Sequence, residues 1–237
     1  MEQTKNLNGE YIIMDKVRVI EAFQSYQGEG ISIGKRVLIL RFKLCNRRCK
    51  FGNSDECDTA LKMRISMEFD ISLEEIQNQV DNLKLGLLIT GGEPSFSHNL
   101  NQTIELVNKI NAHFYDIETN GFQLINLIEK IQEDKNVHYM LSPKIFSAPD
   151  YEFYTDLISK IVYNNKVYIK LVYEDRPLIR KFLNYLQTIN FDNQRIYLMP
   201  EGKTKEEILS HAPEVFDAAE EYKVNFSSRE HIIYGFV

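Results

Sequence analysis

The three cysteines of this chain, Cys45, Cys49 and Cys57, lie close together in the sequence. An odd number of cysteines cannot all pair as disulfides within one chain. A structural zinc site needs four ligands, and the nearest histidine, His98, does not continue the group. A four-iron four-sulfur cluster held by three thiolates leaves one iron open to a ligand that is not protein. The grouping favours such a centre over three ordinary buried cysteines, because two arginines between the first two thiols would also stabilise an anionic cluster.

Glycine-containing turns form the second group of residues that could do chemistry. Glycine and proline are scarce, at 11 and 6 of 237 residues, so glycines that gather in a motif are informative. Two such motifs are QGEG at 27–30 and TGGEP at 90–94, where glycine lets a ligand approach the backbone. Taken alone, QGEG is equally consistent with a plain surface turn. SPK at 142–144 could likewise be a strand exit with a solvated lysine.

Short β-branched runs alternate with helical patterns along the chain, which indicates βα units around a mostly parallel sheet. Strands are predicted over 17–23, 37–44, 86–90, 114–118, 137–142, 167–173 and 195–199. Helices are predicted over 73–83, 101–112, 123–133, 150–163, 177–188 and 205–222. Ser72 with Glu75, and Thr204 with Glu207, read as capping boxes that start the first and last of these helices.

About six βα units are too few for a closed eight-stranded barrel, so we predict an α/β fold with an open, partial β/α barrel. No linker, repeat or low-complexity segment divides the chain, which predicts a single domain over 1–237. In such a sheet the loops after the carboxyl ends of the strands meet at one crevice. The cysteine stretch and the motifs TGGEP, ETNG (118–121), SPK and MPEG (199–202) each follow a predicted strand. We therefore expect these motifs to share one site.

The composition excludes several classes of protein. There are 28 basic and 34 acidic residues, for a net charge of −6, so no net positive field attracts nucleic acid or an anionic membrane. No apolar run reaches the ~18 to 20 residues of a membrane span, and the first residues do not have the pattern of a signal peptide. We therefore expect a cytoplasmic protein with no direct nucleic-acid partner and no membrane. The other histidines, among them His138, are expected to be surface or satisfied core residues.

A three-cysteine loop followed by Gly-Gly-Glu-Pro after the next strand resembles the radical S-adenosylmethionine enzymes. In those enzymes the cysteines are separated by three residues and then two, whereas here they are separated by three and then seven. A five-residue insertion at 52–56 restores the family spacing and makes Phe51 the aromatic residue near the adenine, with Glu56 as the alternative. The resemblance implies that S-adenosylmethionine chelates the open iron through its amine and carboxylate. Its reductive cleavage then releases a 5′-deoxyadenosyl radical.

Further motifs in the same order make the chain similar to the 7-carboxy-7-deazaguanine synthase family. They are EAFQSYQGEG at 21–30, Gly34, Arg41, CDT at 57–59, TGGEP, ETNG, SPK and His231, and they span nearly the whole chain. That family converts 6-carboxy-5,6,7,8-tetrahydropterin to 7-carboxy-7-deazaguanine with release of ammonia, in the biosynthesis of queuosine and other 7-deazaguanines. The implied cofactors are a 4Fe-4S cluster, S-adenosylmethionine and Mg²⁺.

The resemblance implies a substrate-binding segment at 17–44 and a cluster loop at 45–59. Arg41 can hold the pterin carboxylate with a bidentate fork, and Glu29 can accept hydrogen bonds from the guanidine-like edge of the pterin. Thr59 is the implied ligand of Mg²⁺, which prefers hard oxygen donors. The other implied substrate contacts are Tyr26, Gln27, Gly28, Thr90, Glu118, His231 and Val237.

The resemblance also implies which residues hold the cofactor. Gly91, Gly92 and Glu93 would receive the methionine amine, since glycine permits close approach and the carboxylate accepts hydrogen bonds. The other implied cofactor contacts are Phe51 or Glu56, Asp58, Ser142, Pro143, Lys144, Met199, Pro200 and Glu201. No protein base is needed, because the cofactor carries the difficult step. The implied partners are a second copy of the chain and a reductant protein of the flavodoxin or ferredoxin type.

Two other functions stay open from the sequence. An activating enzyme that makes a glycyl radical on a partner protein also needs a three-cysteine cluster in a small partial barrel. Such an enzyme has no need of Gln27, Glu29 and Arg41 arranged for a pterin. A metal-stabilised binding module without catalysis is the second alternative, and it predicts a colourless protein with zinc or no metal.

Overall fold

A computed structural model describes residues 15–50, 57 and 60–236 and confirms the predicted α/β class. The strands are β1 Lys16–Val19, β2 Glu21–Tyr26, β3 Arg36–Phe42, β4 Phe69–Ser72, β5 Gly86–Gly91, β6 Tyr115–Thr119, β7 Val137–Leu141, β8 Val167–Tyr173, β9 Ile196–Pro200 and β10 Asn225–Phe226. The helices are α1 Ala60–Ile65, α2 Leu73–Leu83, α3 Ser97–Lys109, α4 Leu124–Lys130, α5 Ala148–Ile161, α6 Pro177–Thr188, α7 Lys205–Tyr222 and α8 Glu230–Tyr234. Short 3₁₀ turns lie at Gly30–Ser32 and Asn193–Arg195.

The main sheet has eight strands in the order β10-β9-β8-β7-β6-β5-β3-β2. Neighbouring strands from β3 to β10 are parallel, and β2 pairs antiparallel with β3. In the part of the chain that the structure describes, β2 and β10 are the two edges, so the sheet is open as expected. A separate antiparallel pair joins β1 to β4. No helix of these described residues is both long and apolar enough to cross a membrane.

The two faces of the sheet differ because successive side chains of a strand point to opposite sides. Leu38 and Leu40 of β3, with Ile89 of β5, belong to the large apolar core beneath the helices. Arg41 follows Leu40 and Thr90 follows Ile89, and the two side chains line a pocket on the other face. Strands β6 and β8 continue this polar face. The alternation of side chains within each strand therefore places the polar, pocket-lining residues on the face of the sheet opposite the helices.

The structure corrects several of the predicted elements. The single strand expected over 17–23 is two strands in two sheets, because β1 pairs with the unpredicted β4 while β2 pairs with β3. Helix α3 begins at Ser97 rather than 101, and α5 begins at Ala148 rather than 150. The elements that were not predicted, α1, β4, β10 and α8, have only two to six residues, too few to show a clear period in the sequence. The predicted capping box of α7 is present in full, with Thr204 accepting from the backbone of Glu207.

Candidate functional site

One cavity of about 530 Å³ lies at the carboxyl ends of the parallel strands and brings most of the sequence-predicted residues together. Of the residues assigned to cluster and cofactor, it is lined by Cys45, Cys49, Cys57, Gly91, Gly92, Glu93, Ser142, Lys144, Met199, Pro200 and Glu201. Of the residues assigned to substrate, it is lined by Tyr26, Gln27, Gly28, Glu29, Arg41, Thr90, Glu118 and His231. Pro143 is not among the lining residues. Phe51, Glu56, Asp58, Thr59 and Val237 lie outside the described residues, so their assigned roles stay predictions.

The glycines after β5 let the backbone run directly against the start of the cysteine loop. The Gly92 N–H donates to the Phe42 carbonyl and the Glu93 N–H donates to the Leu44 carbonyl, each at 2.7 Å. A Cβ at Gly92 would stand 2.0 Å from the Leu44 oxygen. Gly91 adopts φ +104°, a conformation that side chains disfavour. Hydrogen bonds between these two backbone segments therefore position Cys45. A larger residue at position 92 would prevent them, because its side chain would clash with Leu44.

Glu93 is buried and ties the end of β5 to the end of β6. Its Oε1 accepts from the Ser95 N–H at 2.8 Å, the Ser95 hydroxyl at 2.6 Å and the Thr119 hydroxyl. Its Oε2 accepts from the Asn120 N–H at 2.6 Å. Burial raises the pKa of Glu93 even though these hydrogen bonds favour its charged form. The carboxylate thus has a structural task in addition to the cofactor contact that the sequence predicts.

Arg47 and Asn120 hold the start of the cysteine loop in place beside the cavity. Arg47 donates from Nη2 to Asp150 at 2.9 Å and from Nη1 to the Lys144 carbonyl at 3.0 Å, which ties the loop to the start of α5. Asn120 Nδ2 donates to the side chain of Asn46 at 2.8 Å. The sequence predicts a charge effect for Arg47, and it places Asn120 at the site within the ETNG motif without a role of its own.

The donor set at this end of the cavity is three thiols that form no disulfide. Among the described residues, no three histidine, cysteine or carboxylate side chains form a preformed metal-ligand set. Burial raises the pKa of Cys45 to about 11, so the free thiol is neutral at pH 7. Soft sulfur donors on one wall suit an iron–sulfur cluster, whose irons would stabilise the thiolates. The residues present therefore fit a cluster with three protein ligands.

At the other end of the cavity, ion pairs join Glu29, Glu118, Lys170 and Arg229. Lys170 Nζ donates to Glu29 Oε2 and, at 2.7 Å, to Glu118 Oε1. Arg229 Nε donates to Glu29 Oε1 at 2.9 Å, and the Thr90 hydroxyl donates to Glu118 Oε2 at 2.7 Å. Burial alone would raise the pKa of Glu29, but the charges of Lys170 and Arg229 outweigh it and lower that pKa. The cavity therefore presents two carboxylates, each paired with at least one basic side chain, in a group of two acidic and two basic residues.

The turn that carries Glu29 is fastened to the sheet through Asp116 of β6. Asp116 Oδ2 accepts from Gln27 Nε2 at 3.3 Å, and Oδ1 accepts from the Ser32 hydroxyl at 3.1 Å. Its Oδ1 also lies 2.7 Å from Nδ1 of His138. One buried carboxylate thus anchors both ends of the turn. His138 is satisfied by this contact, as predicted for a histidine that is not a ligand.

The last described helix, α8, closes one side of the cavity against the same turn. The Glu230 N–H donates to the Gly28 carbonyl at 3.0 Å, and the Ser25 hydroxyl donates to the Phe236 carbonyl at 3.0 Å. A Cβ at Gly28 would stand 2.3 Å from Nδ1 of His231. The absence of a side chain at Gly28 is therefore what lets His231 approach, and burial lowers the pKa of His231.

No site role was assigned from the sequence to Lys170, Arg229 or Asp116, whereas Asn120 was expected at the site as part of the ETNG motif. Lys170 did carry a signal, because it is the one charged residue in the strand VYIKLVY, and Asp116 carried a weaker one, because it lies between a tyrosine and an isoleucine in YDIET. Such a residue is seldom buried unless it is paired. Arg229 precedes a five-residue helix and has no comparable signal.

We predict that Gly92→Ala lowers the iron content reached on reconstitution, because the added methyl would clash with a backbone atom of the cysteine loop. Iron per chain and visible absorbance are the measurements. Gly34→Ala is the control, since its methyl meets nothing within 4 Å and its left-handed φ costs only ~1–2 kcal/mol. Full iron loading of Gly92→Ala would contradict the prediction.

A second prediction concerns acid stability of the metal-free protein. Because the folded-state pKa of Glu29 is below its ordinary value of 4.5, its ion pairs stabilise the fold above that pH and are lost as the pH falls through the folded-state pKa. Urea unfolding from pH 7 down to pH 3 should show a fall in the free energy of unfolding below pH 4.5. Glu29→Gln should show a shallower fall over that range, and equal slopes in the two proteins would refute the assignment.

Comparison with known proteins agrees with this site. Residues 26–143 match the family model of the 4Fe-4S single cluster domain. A 7-carboxy-7-deazaguanine synthase from Hyperthermus butylicus is 25% identical over 224 residues, covering 92% of each chain. Another from Pyrobaculum aerophilum is 24% identical and covers 92% of this chain and 94% of the relative. The crystal structure of QueE from Escherichia coli has the same fold, with a TM-score of 0.58 over 91% of this chain and 95% of that chain at 18% identity. Together with the cavity of three thiols and paired carboxylates, these likenesses lead to one conclusion: over nearly its whole length the chain is similar to proteins of the 7-carboxy-7-deazaguanine synthase family.

Proposed function

We propose that this protein converts 6-carboxy-5,6,7,8-tetrahydropterin to 7-carboxy-7-deazaguanine with release of ammonia. The observation that carries the proposal is that one cavity has, at one end, three thiols that form no disulfide and, at the other, the carboxylates Glu29 and Glu118. The first end suits an iron–sulfur cluster and the second suits a flat molecule rich in hydrogen-bond donors. A substrate held between them lies within reach of the cofactor.

The cofactor end supplies binding and orientation. Cys45, Cys49 and Cys57 would hold the 4Fe-4S cluster, and the exposed backbone of Gly91 and Gly92 would lie along the methionine part of S-adenosylmethionine. When bound, the cluster and S-adenosylmethionine supply the radical that abstracts hydrogen from the substrate. Lys144 donates to the Ser142 hydroxyl at 2.8 Å, so the two polar side chains that we assign to the cofactor already have a fixed orientation.

The substrate end supplies recognition. Each oxygen of Glu29 and Glu118 already accepts one hydrogen bond from the protein, which leaves a further lone pair for the amino and ring N–H groups of the pterin. Arg41 is mostly buried, and its Nε donates to Glu21 at 2.6 Å. This contact orients the guanidinium, and we assign the Nη atoms to the substrate carboxylate. Positioning and exclusion of water are thus the work of the protein.

Further parts of the proposal concern the partners and surroundings of the enzyme. We assign Thr59 to a Mg²⁺ ion that also binds the substrate carboxylate, because hydroxyl and carboxylate oxygens are the ligands that Mg²⁺ prefers. We also infer a homodimer, and a flavodoxin- or ferredoxin-type protein as the electron donor. Three cysteines that form no disulfide support a reducing compartment such as the cytoplasm.

The deciding experiment is anaerobic reconstitution with iron and sulfide, followed by incubation with S-adenosylmethionine, a reductant, Mg²⁺ and the carboxytetrahydropterin. We expect 5′-deoxyadenosine and 7-carboxy-7-deazaguanine, identified by mass spectrometry. Formation of 5′-deoxyadenosine without the deazaguanine acid would refute the substrate and favour another radical reaction, such as glycyl-radical activation. A fully loaded protein that yields neither product would refute the radical chemistry.

Two variants should separate the two ends of the cavity. Cys57→Ala is expected to lose the cluster, seen as loss of bound iron and visible absorbance, because two thiolates remain. Arg41→Ala is expected to keep the cluster and to raise KM for the pterin about 10- to 100-fold, the range for a lost charge-assisted hydrogen bond. Wild-type turnover in Arg41→Ala would overturn the role that we assign to this arginine.

A further inference from the structure

We propose that Lys170 is a specificity-determining positioning residue: by bridging Glu29 and Glu118 it presents them as a pair of ionised acceptors to the amino–amidine edge of the substrate. This inference rests on the proposed function and assigns a role to a residue that has no part in the cluster or cofactor contacts. The substrate class that it implies is a fused heterocycle with an exocyclic amino group next to a ring N–H.

The position of Lys170 supports a bridging role. It lies at the centre of β8, and only 4% of its surface is exposed. Glu118 lies on β6, two strands away in the sheet, and Glu29 lies in the turn that follows β2. The Lys170 side chain therefore joins two elements that are not neighbours in the sheet.

The packing around the lysine stem leaves room for this reach. A Cβ built on Gly30 would stand 3.9 Å from Cδ of Lys170 and 2.6 Å from Cε of Met140. Gly30 also adopts φ +69°. The glycine that ends the QGEG motif thus lets the turn lie against Met140 of β7, beside the stem of Lys170.

The charges show why a cation is required at this point. Glu29 is buried and Glu118 is mostly buried, and the two carboxylates share the ammonium of Lys170. Arg229 neutralises Glu29 from the opposite side. Without the ammonium, the two carboxylates would repel each other in a poorly hydrated cavity. One of them would therefore take up a proton. A protonated carboxyl carries an O–H donor, which opposes the N–H donors of a pterin edge.

The consequence is specificity as well as affinity. Acceptors that are built to receive N–H groups strongly disfavour an analogue that lacks them, because the buried acceptors then stay unpaired. The wild-type enzyme should therefore discriminate against the 2-oxo analogue, in which the exocyclic amino group is a carbonyl. Removing the Lys170 charge should reduce this discrimination, because a protonated carboxyl can donate to the carbonyl.

The test compares wild type with Lys170→Met, and with Lys170→Arg, which restores the charge. Lys160→Met is the matched control, since Lys160 is an exposed lysine that pairs with Asp156 on the surface of α5. We expect KM for the pterin to rise about 10- to 100-fold in Lys170→Met, the range for loss of hydrogen bonds to a charged group. Lys170→Arg should recover part of this loss and Lys160→Met should match wild type. Iron content should be equal in all four proteins, which shows that each variant still binds the cluster.

The pH profile distinguishes a positioning role from a merely structural one. The groups that face the two carboxylates are Lys170, Arg229, His231 and the Thr90 hydroxyl. His231 is present in every variant, so a difference between profiles reports the carboxylates. In Lys170→Met, KM should fall as the pH rises from 6 to 8, because the protonated carboxyl ionises. In wild type and Lys170→Arg the corresponding change should be smaller.

Should Lys170→Met not fold, Lys170→Met/Glu118→Gln keeps one carboxylate against Arg229 and removes the charge imbalance. That double variant should bind the pterin weakly with a profile as flat as that of wild type. A single variant with wild-type KM, or with wild-type discrimination against the 2-oxo analogue, overturns the inference. Absence of product from the wild-type enzyme is a failure of the proposed function instead. In that case the affinity of each protein for the pterin, measured by direct titration, tests the role of Lys170. The comparison is again between wild type and the Lys170 variants.

Discussion

The site depends on one buried carboxylate, that of Glu93. The carboxylate accepts hydrogen bonds from two segments, Ser95 after β5 and the Thr119–Asn120 pair at the end of β6. The backbone N–H of Glu93 donates to the Leu44 carbonyl, just ahead of Cys45. Removing a carboxylate from water is costly unless its oxygens find donors. The donors that meet this requirement come from the ends of two different strands. The hydrogen bonds of the buried carboxylate therefore hold the loops of the cavity together.

The same physical constraint shapes the opposite end of the cavity. Asp116 fastens the turn before Ser32, and Lys170 joins Glu29 to Glu118. A buried ion pair contributes little net stability compared with apolar packing, but breaking one is strongly destabilising. These ion pairs therefore matter mainly because they fix the geometry of the site. The acceptors that face the cavity are already oriented before a ligand binds.

Prediction from sequence was most accurate where the chain repeats a pattern. Short apolar, β-branched runs such as β3, β5 and β8, and the helical patterns between the strands, such as α2, α6 and α7, predicted most elements of the sheet and its helices. It failed where an element depends on a distant partner. Strand β1 exists because β4 lies beside it, and α8 is five residues long and packs against the Gln27–Glu29 turn. Neither has a local period long enough to recognise.

The sequence by itself determined the chemistry that this protein can offer: three thiols on one loop, glycines at two turns, and carboxylates after parallel strands. Those features are local, because residue type and spacing along one segment specify them. Only the tertiary structure decided which charges face one another. Lys170 is 141 residues from Glu29 and Arg229 is 200 residues from it, and pairing over such separations follows from strand order and burial rather than from any local pattern.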